Sequence, residues 1–141
     1  KTDLIHFQAD RKDLSGVSVR FDGQVIAPSG SMKWIGVWLD GRLSGAKHIQ
    51  SRATSAMRTL NASIAVMHSS WGLRPLLIRD LVRSTVLPCA DYGVPSFLPL
   101  PPSAYKPLDR VNKSVTRCIT GSFRTASLAA LEKEAAILPA Q

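Results

Sequence analysis

The sequence predicts an α+β fold in which a small antiparallel β-sheet is followed by a bundle of three or four basic helices. Asp22-Gly23 joins two short extended runs, residues 32–43 form a longer strand-like run, and the apolar spacing changes at Ser44-Gly45. Apolar residues alternate before this point and recur every three or four residues after it, as in amphipathic helices. We therefore expect a β region over residues 1–43, a basic helical region over 44–125, and a C-terminal helix and linker over 126–141.

The β region begins with a predicted strand over residues 4–8 and a loop over 9–16. Residues 17–21 and 24–26 are predicted to form a β-hairpin, because Asp-Gly supplies the positive φ angles of a tight turn. A sheet this small is marginal alone and needs a partner that covers it.

Residues 32–43 contain two of the three tryptophans and are predicted to be one strand. Side chains of a strand alternate between two faces, which are here Trp34, Gly36 and Trp38 on one side and Lys33, Ile35, Val37 and Leu39 on the other. Both faces are largely apolar, which favours a strand covered on both sides. Gly36 leaves bare backbone that another backbone or a ligand can approach.

Four helices are predicted, over residues 46–69, 73–88, 104–120 and 126–137. Pro75 suits the first turn of the second helix, and Pro88 is expected to kink or end it. The predicted apolar face of the second helix consists of Leu77, Ile78, Leu81, Val82 and Thr85. That of the third consists of Leu108, Val111, Val115, Cys118 and Ile119.

The net charge of +8 is concentrated in residues 44–125. Such a surface attracts polyanions, nucleic acid first and acidic membranes second. On the third helix the basic side chains lie within about 60° of one another. This stripe is either a solvated surface or a set of contacts to a duplex backbone. The candidate nucleic-acid contacts are Arg79, Arg83, Arg110, Lys113, Arg117 and Arg124.

The chain lacks the usual signatures of catalysis. His6, His48 and His68 are scattered, so no metal site is expected, and no cofactor is expected either. No phosphate-binding loop, nucleophile elbow or paired acidic cluster is visible. The residues therefore favour a non-catalytic binding module.

The cysteines, the apolar runs and the first residues of the chain bear on its cellular compartment. Cys89 and Cys118 are too few for a disulfide framework and favour free thiols in a reducing compartment. No run approaches the roughly 20 apolar residues of a membrane span. The chain begins at Lys1 without an apolar signal segment, so we expect a piece of a longer protein, located in the cytoplasm or nucleus.

Several segments match one family in order. Residues 1–7 are similar to a Lys-Thr-Glu-Leu-Ile-x-Phe segment, and residues 33–40 to a Lys-Tyr-Leu-Gly-Val-x-Leu-Asp segment. Further matches are Leu43-Ser44 with His48-Ile49, Trp71-Gly72-Leu73, Val86-Leu87-Pro88, Tyr92-Gly93 and segments within residues 117–132. Over nearly the whole chain this ordered set resembles the reverse transcriptases of non-LTR (LINE-type) retrotransposons, particularly those of fungi.

The resemblance implies a part of such an enzyme without its catalytic centre. In the family the polymerase aspartates lie upstream of the matched region and ribonuclease H lies downstream. Lys1 would match a palm lysine that protonates the leaving pyrophosphate, a role open to it only in the full enzyme. The primer-grip match covers Trp34, Ile35, Gly36 and Val37. Residues 46–120 would form the thumb that holds the RNA–DNA template–primer duplex.

Some positions depart from the family. Asp3 replaces Glu, Trp34 replaces Tyr, and Gly45 stands where Trp is frequent; Phe97 and Asp91 are further departures. These departures motivate an alternative, a domesticated retroelement fragment that acts through a protein partner, for instance as an intracellular effector. A third hypothesis is a basic structural domain with chance resemblance.

Overall fold

A computed structural model describes residues 2–7, 17–67 and 72–138 and confirms the α+β fold. The strands are β1 (Val19–Phe21), β2 (Gln24–Ile26), β3 (Ser31–Trp34) and β4 (Val37–Asp40). The helices are α1 (Ala46–Ser63), α2 (Pro75–Asp91), α3 (Lys106–Thr120) and α4 (Leu128–Ala135). Short 3₁₀ helices lie at Ile64–Val66, Val94–Phe97 and Pro102–Tyr105.

The predicted hairpin around Asp22-Gly23 is confirmed. β1 and β2 are antiparallel, and both turn residues have positive φ, 51° at Asp22 and 75° at Gly23. The predicted strand at residues 4–8 is wrong within the described residues, because Leu4 forms only an isolated bridge to Pro28. Pro28 has no N–H with which to extend that ladder. The predicted loop at residues 9–16 lies outside the described residues.

Residues 32–43 form a second hairpin, so the prediction of one strand covered on both sides is wrong. β3 and β4 pair antiparallel across Ile35 and Gly36, whose φ angles of 46° and 79° have the signs that a type I′ turn requires. Lys33 pairs with Trp38, and Trp34 pairs with Val37. Trp34 and Trp38 therefore project from opposite faces of the hairpin, whereas the single-strand prediction placed them together.

The core lies among α1, α2 and α3, and α4 packs against α3. α1 ends at Ser63 and is shorter than predicted, and Ile64, which directly follows it, is 49% exposed. On α3 the predicted apolar residues are buried, apart from the half-buried Cys118. The buried apolar residues of these helices are Ile49, Ala53, Ala56, Leu60, Ile78, Val82, Val86, Ala90, Leu108, Val111, Val115, Ile119, Leu131 and Ala135.

The buried face of α2 is rotated from the predicted one. Ile78 and Val82 are buried as expected, but Leu77 is 51% exposed and Thr85 is also exposed. Val86 and Ala90 take their place in the core. The helix continues through Pro88 to Asp91. Proline is tolerated here because it lies on the exposed side, where water can bond the carbonyl left unpaired one turn earlier.

Asp40 organises the loop that connects β4 to α1. Its carboxylate accepts hydrogen bonds from the backbone N–H groups of Arg42 and Ser44, both at 3.0 Å, and from the Ser44 hydroxyl at 2.8 Å. The Asp40 carbonyl accepts a further bond from Leu43, which has a φ of 52°. Partial burial works to raise the pKa of Asp40, but these hydrogen bonds outweigh it and lower the pKa.

Asp40→Asn is expected to lower the free energy of unfolding at neutral pH by about 1 kcal/mol, because it removes the charge that strengthens these hydrogen bonds. The folded-state pKa of Asp40 lies below the ordinary value of 3.8. The stabilisation is therefore present above pH 3.8 and is lost as the pH falls through the folded-state pKa. Urea unfolding at several pH values should show this acid-range dependence in the wild type and a flatter one in the variant.

Candidate nucleic-acid interface

His48, at the start of α1, fixes the second hairpin to the helical bundle. Its imidazole is fully buried. The Trp38 backbone N–H donates to Nδ1 at 3.2 Å, so Nε2 carries the proton and donates to the Tyr92 carbonyl at 2.7 Å. The Phe97 ring packs beside the imidazole, with ring centroids 5.5 Å apart. One side chain thus connects β4, α1 and the end of α2.

Tyr92 supports the tip of the same hairpin. Its hydroxyl donates to the Ile35 carbonyl at 3.0 Å. A Cβ at Gly36 would lie 3.2 Å from the Tyr92 ring and hydroxyl, so the bare backbone at Gly36 is approached by this tyrosine. Beyond the support, Trp34 is 61% exposed and Ile35 is 72% exposed. The hairpin therefore presents two large apolar side chains to solvent.

Ile35 holds a strained backbone conformation. A β-branched residue at positive φ is an outlier, and the first position of a type I′ turn usually holds Asn, Asp or Gly. Such strain costs on the order of 1–3 kcal/mol and is concentrated at functional sites. The exposed apolar residue at this position is therefore a candidate contact.

The outer face of α1 carries cations and small polar side chains. α1 contains Lys47, Arg52 and Arg58 and no acidic residue. The Lys47 ammonium lies 4.0 Å from the centroid of the Trp38 ring, an arrangement that favours a cation–π contact. One groove runs from Trp38 along α1, and the next lies between α1 and α3. Among the described residues, no carboxylate lines either groove; the linings comprise Trp38, Lys47, Gln50, Ser51, Ala53, Thr54, Ser55, Met57, Arg58, Asn61, Pro107 and Arg110.

The basic stripe predicted on α3 continues this surface. Arg110 lines the groove between α1 and α3, and Lys113 is exposed. Arg117 is half-buried, and its Nη2 donates to the Arg124 carbonyl at 3.0 Å. That bond brings the turn after α3 against the stripe, so Arg110, Lys113, Arg117 and the Arg124 backbone belong to one region.

Arg79 and Arg83 lie elsewhere. Arg83 lines a cleft of about 330 Å³ together with Leu108, Asn112 and the segment after α4. Leu108 and Asn112 lie on the opposite side of α3 from Arg110, since two residues at 100° each correspond to a rotation of about 200°. Arg79 is half-buried, with a buried Nε. Of the six predicted contacts, the structure thus separates Arg79 and Arg83 from the four at α3 and the turn after it.

The same cleft contains Asp91, whose pKa is raised by burial. A carboxylate in this cleft makes it less attractive to phosphate than the two grooves beside α1.

The α1 face was not among the predicted contacts. Its signal in the sequence is an 18-residue helix with basic residues and no Asp or Glu. The predicted primer-grip residues Trp34, Ile35, Gly36 and Val37 come together at the hairpin tip. Lys1, together with His68 and Trp71, lies outside the described residues.

Within residues 2–7, 17–67 and 72–138, His, Cys, Asp and Glu side chains form no group of three able to hold a metal ion. Over the same residues, none of the helices combines the length and apolar character that crossing a membrane requires.

Ile35→Asn is expected to raise the free energy of unfolding by about 1 kcal/mol, because asparagine tolerates the left-handed conformation better than a β-branched residue. The Tyr92 bond goes to the backbone and is retained. Ile35→Val is the matched control, since it keeps the β-branch and should give no gain. Chemical denaturation measures both; equal stability of the two variants would contradict the strain.

Comparison of the chain with protein-family models, with curated protein sequences and with solved structures finds no match.

Proposed function

We propose that this chain is a non-catalytic nucleic-acid-binding module, derived from a retroelement reverse transcriptase, that holds an RNA–DNA duplex through its backbone. The observation that carries the proposal is the basic surface from Trp38 along α1 to Arg110 on α3, to which none of the described carboxylates contributes. We call this surface, which includes Lys47, Arg58 and Arg110, the α1–α3 face. Its ammonium and guanidinium groups suit phosphates, and its amide and hydroxyl groups suit sugar and phosphate oxygens.

The order of elements supports the link to reverse transcriptases. Small antiparallel β structure precedes the basic helical bundle, which is the order that the resemblance to palm end, primer grip and thumb implies. The residues that resemble the primer grip occupy one exposed hairpin tip, held by Tyr92 and His48. We infer that the α1–α3 face contacts the duplex backbone and that the tip contacts an end of the duplex.

Neutralising the α1–α3 face is expected to weaken duplex binding and its salt dependence. Replacing Lys47, Arg58 and Arg110 with alanine should reduce the slope of log K against log salt by about 2 to 3, because each phosphate contact contributes about 0.9 for B-DNA or 0.7 for a single strand. Fluorescence anisotropy with a labelled RNA–DNA duplex, over about 50–200 mM salt, measures this.

The matched control replaces Arg74, Arg79 and Arg83, which removes the same charge from α2. Its slope should stay close to that of the wild type. Absent or salt-insensitive binding by the wild type would contradict the nucleic-acid proposal. A larger loss in the α2 variant would instead assign binding to Arg79 and Arg83.

Trp34→Ala is expected to weaken binding to a duplex with an open 3′ end by about tenfold, since stacking of a base on an aromatic ring contributes about 1–3 kcal/mol. Affinity for a duplex closed by loops at both ends should change little. Trp34→Phe keeps a stacking ring and is the control. Equal losses on open and closed duplexes would rule out a contact at the duplex end.

A further inference from the structure

Three leucines are exposed at the beginning of α2, on a side of the molecule that the nucleic-acid proposal does not use. Leu76 and Leu77 lie in the first turn and are 63% and 51% exposed, and Leu73 just before the helix is 37% exposed. The buried side of α2 is centred on Ile78 and Val82. We call Leu73, Leu76 and Leu77 the leucine face.

Positive charge lies along one flank of the leucine face, beside Leu76, and at the start of the helix. Arg79 and Arg83 lie within about 60° of Leu76 on the helix, at 100° per residue. Arg74 is the N-cap residue, no side chain caps the helix there, and its first turn contains no acidic residue. The N-terminal N–H groups add positive potential to that of the arginines. Asp80 lies on the same side, about 40° from Leu76, and Asp91 lies on that side about four turns further along the helix.

This charge distribution selects among possible occupants. A second copy of the chain would place one set of arginines against another, which disfavours self-association. A membrane surface would require a longer apolar strip, but Asp80 and Ser84 continue the side of Leu76 and Leu77 along the helix. A single apolar turn with arginines along one flank fits a short apolar groove that has an acidic rim on the matching side.

We propose that the leucine face is a protein-docking surface that inserts into an apolar groove with an acidic rim on a partner protein. Leu76 and Leu77 project from the first turn of α2, and Leu73 precedes the extended N-cap residue Arg74, so the three leucines form a short apolar anchor at the start of the helix. Arg74, Arg79 and Arg83 contact the carboxylates of the rim. The surface goes beyond the proposed function, since the α1–α3 face is formed by other helices.

The test is photo-crosslinking from a benzoylphenylalanine placed at Ser84, an exposed residue beside the leucines. The chain is incubated with an extract of the cells that express it, and the crosslinked peptides are mapped. We expect the crosslinked peptide of the partner protein to line an apolar groove and to contain Asp or Glu. Its yield should fall about tenfold or more in Leu76→Ser/Leu77→Ser and in Arg74→Glu/Arg79→Glu/Arg83→Glu. Reversing the partner's carboxylates to lysine should restore crosslinking to the second variant.

Other outcomes overturn the proposal. One is a wild-type crosslink yield no higher than that of the leucine variant. Another is a yield that the arginine reversal does not change. The third is a crosslink to a second copy of the chain, together with a dimer in sedimentation. Leucine-dependent binding to phosphatidylserine vesicles would assign the face to a membrane instead. Affinity for the RNA–DNA duplex should be unchanged in Leu76→Ser/Leu77→Ser; a loss there would place the leucines in the nucleic-acid interface. Circular dichroism checks that both variants fold.

Discussion

The arrangement of the whole molecule depends on one buried imidazole. His48 accepts a hydrogen bond from β4 and donates one to the residue that ends α2. An unpaired buried donor or acceptor costs about 1–3 kcal/mol, so losing this side chain would leave two such groups without a partner. Gly93, with a φ of 74°, makes the contact possible, because a Cβ there would lie 2.8 Å from Nε2. The hairpin tip keeps its position relative to the helices through this bridge.

The bundle separates two surfaces of the same charge sign and different chemistry. The α1–α3 face combines cations with amide and hydroxyl groups and, in the part of the chain that the structure describes, contains no carboxylate. The leucine face combines arginines with exposed leucines on α2. Both surfaces exist because each helix uses one side for the core and leaves the other to solvent. Net charge alone would merge them into one basic patch, whereas the side chains between the cations suggest different ligands.

The hairpin tip shows where local sequence rules are broken. Five glycines of the described residues adopt positive φ, but Ile35 also occupies a left-handed position and remains 72% exposed. Neither burial nor backbone preference favours isoleucine there. Residues that break a local rule without a structural gain are expected at functional sites. The Tyr92 bond to the Ile35 carbonyl offsets part of the strain and holds the tip in one conformation.

Local patterns in the chain were sufficient to predict the α+β class, the Asp22-Gly23 hairpin, the helices and the stripe of Arg110, Lys113 and Arg117. Each of these features depends on residues a few positions apart in the sequence. The second hairpin was missed because Trp, Ile and Val favour strands whether or not the chain reverses. The register of α2 and the site at the tip were decided by tertiary contacts. His48 and Tyr92 are 44 residues apart, and Tyr92 and Ile35 are 57 apart. Contacts at such separations have no periodicity in the sequence, so only the packed bundle specifies them.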